Sequence, residues 1–104
     1  MKSRLKSEQL DDLFSAILSI ENLDECYDFF DDLCTVQELR ALSQRFTVAQ
    51  MLLDKKVYSE ILAETGASTA TISRVNRSLN YGNDGYDMVF ERIPQLPIED
   101  SSES

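Results

Sequence analysis

Residues 57–79 read Val57-Tyr58-Ser59-Glu60-Ile61-Leu62-Ala63-Glu64-Thr65-Gly66-Ala67-Ser68-Thr69-Ala70-Thr71-Ile72-Ser73-Arg74-Val75-Asn76-Arg77-Ser78-Leu79. This stretch decides the fold. Two short helical patterns flank Thr65-Gly66-Ala67. Glycine supplies the positive φ that a tight corner between helices needs. Ser68 is the residue type that caps a helix starting just after it. Ile61, Thr65, Ala67, Ile72 and Val75 are small or apolar where such a pair packs on itself. The pattern predicts a helix-turn-helix.

The second helix of the pair divides cleanly. Ile72, Val75 and Leu79 fall at i, i+3, i+7 and face inward. Ala70, Ser73, Arg74 and Arg77 fall on the opposite side, with no carboxylate among them. An ordinary solvent-exposed helix mixes Glu with Lys for i,i+4 pairing. Small residues instead let a helix enter a major groove, hydroxyls reach phosphates or bases, and Arg can pair bidentately with guanine. The candidate DNA-contact residues are Tyr58, Ser59, Ser68, Thr69, Ala70, Thr71, Ser73, Arg74 and Arg77, with Lys55 and Lys56 ahead of the pair. For those two lysines, phosphate contact competes with a simpler role as positive charge at a helix C-terminus.

The net charge of −9 over 104 residues argues superficially against a nucleic-acid partner. The distribution says otherwise. Residues 1–34 carry three basic and nine acidic groups, residues 81–104 one and six, and residues 35–80 six and four. No acidic residue occurs between Thr65 and Asn83. The cationic surplus coincides with the helix-turn-helix pattern.

Upstream, Leu10, Leu13, Phe14, Ile17 and Leu18 form the apolar stripe of an amphipathic helix. Asn22 and Glu25 read as a capping box opening a second helix, with the stripe Leu23, Cys26, Tyr27, Phe30, Leu33. Asp28, Asp31 and Asp32 form its solvated face and lack the alternating spacing and loop glycine of a calcium site. Thr35 and Glu38 are a further capping box, opening a long helix to about Asp54 that is apolar around much of its circumference. Gly82 and Gly85 bracket a loop, residues 87–93 suit a short terminal helix, and Pro94 stops it. The fold class is therefore all-α, with about six helices. The expected organisation is a flexible N-terminus at 1–7, one helical domain at 8–93 and an acidic disordered tail at 94–104.

Enzyme chemistry finds little support. The chain has no His, which removes the commonest general base and metal ligand. No nucleophile motif or phosphate loop is present, and no cofactor is expected. Cys26 and Cys34, if on one helix, stand about 12 Å apart along its axis, beyond disulfide reach. They read as buried free thiols in preference to a redox pair. No apolar run approaches the roughly 20 residues of a membrane span, and the basic N-terminus runs into Glu8, Asp11 and Asp12 in place of a signal peptide's apolar stretch. The expectation is a cytoplasmic protein with no membrane partner.

Longer matches add to this. Phe29-Phe30-Asp31-Asp32-Leu33-Cys34-Thr35, Arg40-Ala41-Leu42-Ser43-Gln44-Arg45, residues 64–77 and Leu79-Asn80-Tyr81-Gly82-Asn83-Asp84-Gly85-Tyr86 together resemble the Trp repressor superfamily, in particular its YerC/YecD family. The resemblance spans about 8–92. It implies a bacterial, intertwined helical homodimer whose two recognition helices enter successive major grooves of a palindromic operator. It also implies a candidate ligand pocket: a helix Thr, two Arg and a Ser surround the corepressor in the Trp repressor, and the matching positions are Thr35, Arg45, Arg74 and Ser78. Where the Trp repressor has a glycine that leaves room for indole, this chain has Val75. Two methyl groups there would overpack the site by about 1–3 kcal/mol. A small-molecule effector other than tryptophan is the expectation, if any is used.

Dimerisation follows from size as well. A segmented chain this short buries a limited core alone, and its first three helices are more apolar than one layer needs. Phe14, Ile17, Phe30, Leu42 and Phe46 are expected between or within the subunits. The leading reading is a sequence-specific DNA-binding transcriptional regulator, a repressor in preference to an activator. The alternative is an acidic protein-interaction module that keeps the helix-turn-helix scaffold without using it on DNA.

Overall fold

The computed structural model describes residues 6–93. Residues 1–5 of the expected N-terminal arm and all of the expected acidic tail at 94–104 lie outside the described residues. Six α-helices follow in order: α1 (Glu8–Leu18), α2 (Leu23–Leu33), α3 (Val36–Leu53), α4 (Tyr58–Thr65), α5 (Thr69–Tyr81) and α6 (Gly85–Arg92). No strand occurs among the described residues. The all-helical class read from the apolar periodicity holds.

Local chemistry sets the helix starts. The Ser7 hydroxyl accepts the Leu10 N–H at 3.1 Å, and the Asn22 side chain accepts the Glu25 N–H at 2.9 Å. The return bond at α2 differs from the expected box. The Glu25 carboxylate accepts from Glu21 N–H at 2.9 Å, one residue earlier than the motif prescribes. At α3 the box is complete: Thr35 Oγ1 accepts Glu38 N–H at 3.1 Å and Glu38 Oε1 accepts Thr35 N–H at 2.8 Å.

The other end of α3 is less ordinary. Lys55 N–H bonds to the Leu52 carbonyl and Lys56 N–H to the Met51 carbonyl, both at 3.0 Å, with Lys55 at φ 67°. This is a Schellman motif with a lysine at the left-handed position where glycine is usual. A non-glycine residue there costs about 1–2 kcal/mol.

The chain divides within α3 into two compact units, Met1–Gln44 and Arg45–Ser104. In the first, no residue of α1 or α2 is buried. Their apolar stripes exist, yet Phe14 is 53% exposed, Tyr27 71% and Leu18 84%. Leu23, Cys26, Tyr27, Phe30 and Leu39 line an open groove. Cys26 and Cys34 are free thiols but half-buried rather than buried, since none of the buried residues described belongs to this unit.

The second unit holds every buried residue among those described. Val48, Ala49 and Met51 of α3, Ile61 of α4, Ala67 of the corner, and Ile72 and Val75 of α5 form one cluster. Burying an aliphatic side chain of this size stabilises by about 1.5–3 kcal/mol, so this cluster fixes α4 against α5. Tyr86 and Phe90 of α6 pack on it, and the Phe90 ring lies 4.8 Å from that of Phe46. Phe46 thus finds its aromatic partner inside its own chain. The last helix starts at Gly85, two residues before the expected start at 87, because Asp84 at φ 62° makes the turn. Gly82 answers to crowding: a Cβ there would collide with the Ser78 carbonyl. No helix among the described residues is long and apolar enough to cross a membrane.

Candidate nucleic-acid interface

The corner between α4 and α5 is built from three local devices. Gly66, at φ 71°, caps α4 and donates its N–H to the Leu62 carbonyl at 3.0 Å. Thr65 Oγ1 donates to the Ile61 carbonyl at 2.8 Å and accepts Ala67 N–H at 3.1 Å. Ser68 Oγ accepts Thr71 N–H and donates to Thr71 Oγ1, each at 3.1 Å. In the sequence Thr65 stands out only as a small residue. The Thr-Gly-Ala order is the signal that a side-chain hydroxyl can span such a turn.

With the corner fixed, α5 turns two faces in two directions. Ile72 and Val75 are buried and Leu79 packs partly against the core. Ala70, Ser73, Arg74 and Arg77 are exposed, as the i, i+3, i+4, i+7 spacing predicts. Ser68 and Thr69 are exposed at the helix start and Thr71 is half-buried. Tyr58 and Ser59 open α4, both exposed.

The two lysines differ. Lys55 is exposed in its left-handed position, whereas Lys56 Nζ lies 3.8 Å from Glu60 one turn on. An exposed pair at that distance is worth little, so Lys56 keeps its charge available. Among the described residues, neither Arg74 nor Arg77 has a carboxylate within ion-pair distance. The outer face of α5 is cationic and hydroxylated.

Of the candidate ligand-pocket residues, Arg45, Arg74, Val75 and Ser78 belong to the second unit and Thr35 to the first. Arg45 is half-buried, while Arg74 and Ser78 are exposed. Val75 is 2% exposed and part of the core cluster. The Thr35 hydroxyl is already engaged in capping α3.

A family model described as Trp repressor protein matches residues 8–94. The chain belongs to the Trp repressor family. It is similar to the uncharacterized protein YerC of Bacillus subtilis (strain 168), with 54% identity over 95% of each chain. Among solved structures it resembles a TrpR-like protein from Eubacterium eligens ATCC 27750, with 61% identity, 91% of this chain and 98% of that one covered, and a TM-score of 0.84. A candidate Trp repressor from Staphylococcus aureus is 56% identical, covering 88% of this chain and 91% of that one, with a TM-score of 0.83. Family and fold together point to a DNA-binding regulator.

Proposed function

We propose that this chain is a sequence-specific DNA-binding transcriptional regulator that reads duplex DNA with α5 as a homodimer. The observation that carries the reading is the division of α5. Ile72 and Val75 anchor it from within, and Ser73, Arg74 and Arg77 stand exposed on a helix free of carboxylates. Such a face suits phosphate and base-edge contacts. Thr69 and Thr71 at the helix start, with Lys55, Lys56, Tyr58 and Ser59 nearby in sequence, are the residues to position the helix on the backbone.

The bare apolar surface of α1 and α2 supports the homodimer. A soluble monomer rarely leaves so many large side chains uncovered, and a second copy of the chain offers the complementary surface. Two-fold symmetry then pairs two reading helices with a palindromic operator. A cytoplasmic location accords with this role. Repression in preference to activation rests on the family resemblance alone.

Val75 argues against tryptophan as corepressor. Its two methyl groups sit in the core where the Trp repressor keeps a glycine. A smaller carboxylate or phosphate compound held by Arg45 and Arg74, or no effector at all, is the reading that accords with Val75.

The deciding experiment is a mobility shift on genomic fragments across a salt series. Retarded complexes at about 50 mM salt that weaken steeply as salt rises fit phosphate contacts. Absence of any shift at low salt would favour the protein-interaction module.

A further inference from the structure

The outer face of α5 carries two cations, Arg74 and Arg77, one helical turn apart. The second unit also holds carboxylates at Asp54, Glu60, Glu64, Asp84, Asp87 and Glu91. Among the described residues, none of these forms an ion pair with either arginine. The remaining carboxylates of this unit lie beyond α6. Residues 94–104 contain Glu99, Asp100 and Glu103 and no basic residue. We propose that this acidic segment docks in cis against the Arg74 and Arg77 face and competes there with an incoming phosphate backbone. The proposal rests on the DNA-reading role given above.

Reach permits it. Along the chain, Arg77 and Ile93 are at most roughly 30 Å apart. Ten extended residues beyond Ile93 span up to roughly 35 Å. The chemistry also matches. Carboxylates and phosphates present similar oxygen acceptors to the guanidinium fork. Tethering holds the segment at an effective concentration on the order of millimolar. Exposed ion pairs are individually weak and salt-screened, so the contact tunes affinity and does not block the face.

The test compares the full-length chain with the full-length triple variant Glu99→Gln, Asp100→Asn, Glu103→Gln. In DNA-free protein at low salt, the variant is expected to move the backbone amide signals of residues 73–78, and Arg77→Ala to move those of residues 99–103. Affinity for a duplex should rise about three- to tenfold in the triple variant, a gap that closes as salt increases. Unchanged α5 signals overturn the proposal. If affinity rises while those signals stay fixed, the segment acts by distant repulsion and docking is wrong. Shifts that depend on protein concentration would assign the contact to a second copy and overturn the cis arrangement. If the α5 signals move but no form of the protein binds DNA, the docking stands and the DNA-reading role is what fails.

Discussion

Ala67 donates its backbone N–H to the Thr65 hydroxyl, 3.1 Å away across Gly66. The hydroxyl is committed on its other side too, donating to Ile61 at 2.8 Å. Replacing Thr65 with Val keeps the shape and removes both bonds. An amide left without its partner in a partly buried turn costs about 1–3 kcal/mol. Urea denaturation of Thr65→Val should show a loss in that range, and Thr65→Ser should recover most of it.

Two left-handed residues give a matched pair of tests. Gly66 is at φ 71°, with nothing within 4 Å of the place a Cβ would take. Gly66→Ala is therefore opposed by backbone conformation alone, about 1–2 kcal/mol. Lys55→Gly removes the same penalty but loosens the unfolded chain, for a net gain of about 0.5–1 kcal/mol. Thermal melts should move in opposite directions. A drop in melting temperature for Lys55→Gly would mean that the lysine side chain stabilises the end of α3.

Arg74→Ala and Arg77→Ala should both weaken operator binding, in distinguishable ways. Loss of a base-edge contact costs about 1–3 kcal/mol and relaxes specificity at one position. Loss of a phosphate contact weakens all sequences alike and lowers the salt slope by about one unit. Binding isotherms on operator and mismatched duplexes at several salt concentrations separate the two. Wild-type affinity in both variants would mean that α5 is not the reader.

Calorimetry with millimolar L-tryptophan should give no saturable heat. Val75 already fills its site at 2% exposure, and admitting an indole would require displacing it from the core. Saturable binding that raises operator affinity would overturn the Val75 argument.

Sedimentation at micromolar concentration should give about twice the chain mass of 11.9 kDa. With Leu18, Tyr27 and Phe14 exposed on α1 and α2, those helices would gain their stabilisation across the proposed dimer. A stable folded monomer would remove the intertwined arrangement.

The sequence was legible where one residue type has one physical use. Thr35 and Glu38 announce a capping box, Gly66 a left-handed corner and Ser68 a helix start, and each does that job. The two faces of α5 follow from spacing alone. What escaped were features that depend on distant partners or on tolerated strain. A lysine at φ 67° leaves no mark, because lysine is as common in helices as at their ends. The start of α6 escaped because Asp84 takes a left-handed conformation and makes no side-chain cap bond, so that Asn83-Asp84-Gly85 reads as a plain turn. Phe46 against Phe90 is a meeting of residues far apart in the chain, which periodicity does not encode. The stripes on α1 and α2 were visible, but a stripe does not say whether its cover is the same chain or another copy.

The buried residues described for this chain all fall within residues 48–75. A core closed by so short a stretch needs only small loops, and small loops close quickly and at low entropic cost. The helix-turn-helix can thus condense as a local nucleus from contacts close in sequence, with Tyr86 and Phe90 of α6 added onto it. The helices ahead of it have no such nucleus of their own. In the proposed dimer their ordering is a slower, bimolecular event whose rate depends on how many copies are present. Expression level then sets how fast the completed regulator accumulates.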